Sequence, residues 1–164
     1  MKRAFVYLSI AAITAALFFA CRKKDKYPPE PEIEYKSFIR FGEDSAMLHI
    51  NFTDGDGDIG IDENDNNPPF NPGSEFYNNI FIKYYYKNPS GNFVQLYNPF
   101  DSTYVNWDQR VPVITPEGKD KSLKGEMIFR LDDYHLWDTS FYEVWIYDRA
   151  LHKSNVVRTD TIIF

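Results

Sequence analysis

From Ile33 onward, apolar and polar residues alternate in short runs bounded by Gly, Pro, Asn and Asp, the period-two pattern of strands that bury one face. Ala46-Met-Leu-His-Ile-Asn-Phe52 places Leu48, Ile50 and Phe52 on one side. Between Asn79 and Lys87, Ile80, Ile82, Tyr84 and Tyr86 oppose Phe81, Lys83, Tyr85 and Lys87. Asn88-Pro-Ser-Gly-Asn92 has turn chemistry, and Phe93 to Tyr97 answers it as the second arm of a hairpin. Gly125 to Leu131 sets Met127, Phe129 and Leu131 on one side, while Tyr142 to Asp148 and Asn155 to Phe164 form a strand pair around Arg149 to Ser154. Between Asn98 and Lys124 only Arg110 to Ile114 has strand character. No run after the first twenty residues sustains a helical period. About seven short strands with punctuated turns predict an all-β domain over residues 33–164, an antiparallel β-sandwich.

The N-terminus follows a different pattern. Met1-Lys2-Arg3 is a basic start, Ala4 to Ala20 is an uncharged run, and the chain's single cysteine, Cys21, follows a small residue. This is the layout of a secretory signal peptide over residues 1–20. Leu17-Phe18-Phe19-Ala20-Cys21 resembles the lipobox of bacterial lipoproteins. The resemblance implies cleavage before Cys21 and acylation of it, with palmitate among the chains. That gives a cell-envelope protein held on the membrane, the outer membrane being the expected one. Two alternatives stay open: cleavage at Thr14-Ala15-Ala16, which frees a soluble protein, and retention of the run as one spanning helix. Residues 21–32, with Pro28, Pro29 and Pro31, carry too little apolar surface for a core and are expected to form an extended, lipidated tether.

Charge narrows the partners. The net charge is −6, and removing Lys2 and Arg3 with the signal takes it to −8. An acidic chain without a Lys/Arg stripe argues against nucleic-acid binding, which needs basic clusters to neutralise phosphates. One cysteine allows no internal disulfide, so stability rests on the core and on any bound metal.

The densest chemistry lies in Asp54-Gly-Asp-Gly-Asp-Ile-Gly-Ile-Asp62-Glu-Asn-Asp65-Asn-Asn-Pro68. Carboxylates at alternate positions of a glycine-relaxed loop converge on one point, as a hard cation with six to eight oxygen ligands requires. The pattern resembles a thrombospondin type 3 calcium repeat, and also an EF-hand loop at its first, third, fifth and ninth positions. The resemblance implies calcium as a structural cofactor, with Asp54, Asp56, Asp58, Asp62 and Asp65 as ligands and Gly60 lending its backbone carbonyl. Ile59 stands where both families carry a turn glycine, and the flanks are strand and loop, which excludes a helix–loop–helix hand. The competing reading is a solvated acidic turn.

Tyr142-Glu-Val-Trp-Ile-Tyr-Asp148 with Ser154-Asn155 resembles the closing strands of immunoglobulin-like and fibronectin-III-like bacterial surface modules. In such a sandwich the loop after the second strand and the loop before the last strand lie at one end. Asp148 is therefore a candidate for the metal's outer shell, or else the cap of its own turn. If Ile82, Tyr84, Val144 and Ile146 face the core, then Phe81, Tyr85, Trp145 and Tyr147 share the outer face. Tyr85, Trp145 and Tyr147 there form a possible ligand surface for a glycan or a protein, unless other loops cover them.

Catalytic signals are missing. His49, His135 and His152 have no zinc-type spacing, and no Gly-x-Ser-x-Gly elbow or phosphate-cradling loop occurs. Asp132-Asp133 reads as a turn pair. The sequence points to a non-enzymatic binding or structural module. A carbohydrate-binding module is the alternative, and a small hydrolase with dispersed carboxylates is a weaker third.

Overall fold

The structure is a computed structural model that describes residues 26–116, 119, 121–132 and 136–164. The signal segment, the lipidation site Cys21, Asp133 and His135 lie outside the described residues. Ten strands run in chain order: β1 (Glu32–Phe41), β2 (Ser45–Asp54), β3 (Ile80–Lys87), β4 (Phe93–Gln95), β5 (Tyr97–Asn98), β6 (Thr103–Tyr104), β7 (Leu123–Asp132), β8 (Thr139–Ile146), β9 (Val157–Arg158) and β10 (Ile162–Ile163). One antiparallel sheet has the order β1-β2-β7 and the other β10-β8-β3-β4, with β9 also on β8 and β5-β6 as a separate small hairpin. This is an all-β sandwich-like fold in which the first two long strands share a sheet with β7.

Strand parity builds the core. β2 alternates without a break, sending Ala46, Leu48, Ile50, Phe52 and Asp54 inward. Met127, Phe129 and Leu131 of β7 join them from the same sheet. Ile80, Ile82 and Tyr84 of β3 face them from the second sheet, with Tyr142, Val144 and Ile146 of β8. Each such fully buried side chain stabilises by about 1.5–3 kcal/mol relative to exposure. Ile59, from the Asp-rich loop, is fully buried in the same cluster.

One strand lies outside the sequence pattern, and two expectations change. β1 is a ten-residue strand with no clean sequence period, because its pairing with β2 shifts between Tyr35 and Ser37. A bulge there adds a residue, so Ile33 and Phe38 face inward although they are five apart. Arg110 to Ile114 is not a strand. It bonds to loops, Val111 accepting from Ile61 N–H and donating to the Asn79 side chain. Asn155 to Phe164 is split, and both short pieces, β9 and β10, pair with β8.

The described part of the proline-rich segment is not free of the domain. Pro31 is buried, and the Pro28 carbonyl accepts a 2.8 Å bond from Gly55 N–H. The Lys124 ammonium lies 5.9 Å from the centre of the Tyr27 ring.

Candidate metal centre

Parity puts a carboxylate where the core ends. Asp54 is the last inward position of β2 and is 0 % exposed. Its Oδ2 accepts a 2.9 Å bond from Ile59 N–H, which closes the loop back on the strand while the Ile59 side chain plugs the core beneath. Gly57, at φ 72°, supplies the left-handed turn between Asp56 and Asp58 that a residue with a Cβ disfavours. One carboxylate oxygen from each of Asp54, Asp56 and Asp58 lies within 4.8 Å of the other two. Two oxygens bound to one calcium ion at about 2.4 Å stand at most about 4.8 Å apart, so the spread suits a single ion.

The second observation is independent of the clustering. Asp54 Oδ1 is buried and meets no hydrogen-bond donor among the described residues, and Asp58 Oδ1 is in the same position. A buried carboxylate oxygen without a partner is a costly arrangement. Burial drives the Asp54 carboxyl from 3.8 up to about 6, the Ile59 N–H opposes the rise, and the neighbouring Asp56 and Asp58 add to it. Asp58 is raised as well, first by burial and then by the charges of Asp148 and Asp56. Three crowded carboxylates, one fully buried with an open lone pair, are a group that can hold a metal ion. An oxygen-only donor set suits a hard cation.

Asp148 arrives from the turn after β8, at the same end of the sandwich. It is fully buried, and its oxygens accept from His152 N–H at 2.8 Å and meet the His152 ring nitrogen at 2.9 Å. That pairing raises the His152 pKa, the Asp148 hydrogen bond and charge being the main causes. Asp148 thus caps its own turn and also sits behind Asp58, whose carbonyl accepts from Arg149 N–H at 3.3 Å. His152 belongs to this end although its sequence spacing to the Asp-rich loop gave no hint. Its four-residue separation from Asp148 was the only local signal.

The second half of the loop is built differently. Asp62 is exposed and its Oδ1 caps Asn64 N–H at 2.8 Å, while Asp65 pairs with Arg149 at 3.2 Å. The backbone carbonyls of Asp62 and Asp65 each accept a 2.7 Å bond from the Arg110 guanidinium, which also lies 5.0 Å over Tyr77. A protein cation therefore gathers this half of the loop. The side chains of Asp62 and Asp65 do not join the three-carboxylate group. Gly60, at φ 99°, is buried, and a Cβ there would overlap the Pro112 carbonyl.

The aromatics form a ladder on the outer face of the β3–β8 sheet. Phe81 stacks on Trp145 at 5.4 Å, Tyr85 on Phe141 at 4.9 Å, and Tyr147 meets Phe81 edge-on at 5.7 Å. Cations cap it: Lys153 lies 4.6 Å over Trp145, Lys83 reaches Phe81 and Trp145, and Arg158 lies 3.5 Å over Phe141. Tyr85, Trp145 and Tyr147 are all half-buried. On the opposite sheet His49 pairs with Glu126, which Lys36 also holds. No family model, curated protein or solved structure matches the chain.

Proposed function

We propose that this chain is a non-enzymatic cell-envelope lipoprotein whose β-sandwich serves as a binding or structural module stabilised by one calcium ion. Asp54, Asp56 and Asp58 would hold the ion, with Asp148 in the shell behind them. The ion would supply positive charge to three carboxylates that the fold brings together with too few donors. The observation that carries this reading is the buried Asp54 Oδ1 without a donor, next to two further carboxylates. Calcium is favoured over magnesium because magnesium retains several waters and tolerates few carboxylates.

With Asp62 and Asp65 engaged elsewhere, three loop carboxylates remain, and affinity belongs in the weak extracellular range, on the order of 10⁻⁴–10⁻³ M. Membrane attachment through a lipid on Cys21 rests on the Leu17-to-Cys21 segment, and an outer-membrane location goes with it. The acidic charge speaks against nucleic acid and points to a protein or a glycan as the partner class. A carbohydrate platform on Tyr85, Trp145 and Tyr147 is less favoured, because those rings stack on each other and lie under Lys153, Lys83 and Arg158.

Titration calorimetry of the mature domain tests the proposal. Uptake of one calcium per chain at submillimolar to millimolar concentration, weaker uptake of magnesium and none by Asp56→Ala are the expected results. No heat at millimolar calcium would reduce the loop to a solvated acidic turn.

A further inference from the structure

The Asp-rich loop touches the one segment that connects the domain to Cys21. Gly55, between Asp54 and Asp56, donates its N–H to the Pro28 carbonyl at 2.8 Å. A Cβ on Gly55 would overlap the carbonyl oxygens of both Tyr27 and Pro28. Its φ lies outside the left-handed region, so this glycine answers to close approach and not to the backbone turn. Pro31 is buried beside this crossing, and Glu32 opposite Thr53 begins the β1–β2 pairing. The segment Lys26–Pro31 is thus laid across the loop at the residue between two candidate ligands.

We infer that calcium at Asp54, Asp56 and Asp58 gates the docking of Lys26–Pro31, so that the ion sets how much of the N-terminal segment is free tether. The inference rests on the calcium site proposed above. The Gly55 N–H lies in the peptide unit it shares with Asp54, and the next unit leads to Asp56, so the stretch of backbone that carries two candidate ligands also carries the donor to Pro28. An ion draws the carboxylates together and holds that N–H on the Pro28 carbonyl. Without the ion, Asp54, Asp56 and Asp58 repel one another around a buried oxygen that has no donor. The loop relaxes outward, the Gly55–Pro28 bond opens, and the proline-rich segment leaves the domain edge. Proline stiffness then makes the released residues an extended spacer that moves the sandwich away from its attachment point.

Hydrogen exchange on the full chain, with and without calcium, tests this on the Gly55 amide and on the peptide covering Lys26 to Ile33. Calorimetry on the same samples measures uptake. If opening requires loss of the ion, calcium at ten times Kd slows exchange at both places about tenfold, because the closed-to-open ratio grows as 1 + [Ca]/Kd. Gly55→Ala keeps all three carboxylates but pushes the segment away. By the same linkage it should bind calcium at least about tenfold more weakly than the wild type and lose the calcium-dependent protection of Lys26 to Ile33. Should that variant fail to fold, the wild-type pair alone decides. Calcium uptake with unchanged exchange in the segment would overturn the gating and leave the calcium site standing. Absence of uptake would overturn both.

Discussion

Replacing Asp54 by asparagine separates the charge of this side chain from its shape, and the ion-free and ion-bound domains should respond with opposite signs. Burial lifts the Asp54 carboxyl from 3.8 to about 6. One unit corresponds to about 1.4 kcal/mol, so without a cation the ionised group, after discounting for solvent screening, destabilises the fold by about 1–3 kcal/mol at pH 7. The sign follows from where the proton is held more tightly. A folded pKa above the unfolded one means that stability is full below about pH 3.8. It falls as the pH rises through about 6 and is flat beyond. Asparagine keeps an oxygen for the Ile59 N–H and faces Asp56 and Asp58 with a donor in place of a third negative charge. In EGTA at pH 7 the variant should therefore unfold at higher urea than the wild type, by about 1–3 kcal/mol, and the gap should close towards pH 4. In calcium at ten times Kd the wild type gains about 1.4 kcal/mol and the variant almost nothing. A variant less stable than wild type in EGTA, or one whose urea midpoint still moves with calcium, would refute the reasoning.

Arg110→Leu removes the donors from the Asp62 and Asp65 carbonyls, and urea unfolding should show a loss of about 2–4 kcal/mol that is nearly the same with calcium and with EGTA. Trp145→Ala breaks the stack with Phe81 and the Lys153 contact, so thermal unfolding should fall by about 1–3 kcal/mol, while an oligosaccharide panel should not shift wild-type melting. Cys21→Ser should move the protein from the membrane pellet to the soluble fraction, and intact mass should lose the acyl chains, since two or more chains are needed for stable attachment.

Strand parity was legible wherever the period ran unbroken. Leu48, Ile50 and Phe52, the Ile80–Tyr84 set and the Met127–Leu131 set all face inward as their alternation demands. β1 escaped that pattern because one bulge near Tyr35 moves the inward positions out of phase. Asp54, Asp56 and Asp58 come together as their spacing implies, since the loop that joins them is only five residues long and glycine-relaxed. Asp62 and Asp65 do not, and the reason lies far away in sequence. Arg110, 45 residues beyond Asp65, occupies the position from which a second cation would gather those carbonyls. Local spacing encodes where carboxylates can converge. It does not encode which distant side chain reaches them first.

The glycines of the loop carry the same lesson one step further. In the sequence they read as residues that let the backbone curl, and Gly57 and Gly60 do have positive φ. Yet a Cβ on Gly55 would strike Tyr27 and Pro28, one on Gly57 would strike Lys121 and Pro116, and one on Gly60 would strike Pro112 and Val113. Three glycines thus admit three separate stretches of chain, and the loop is the point where the N-terminal segment and two parts of the 112–121 connection meet. Ile59 fits this role: where a free-standing calcium repeat carries a turn glycine, an isoleucine anchors the loop to the sandwich core. Charge repulsion among Asp54, Asp56 and Asp58 is therefore not confined to a surface turn that can swing away. It acts on residues that are hydrogen-bonded and packed against three other segments. Whatever neutralises those carboxylates stabilises that whole end of the domain.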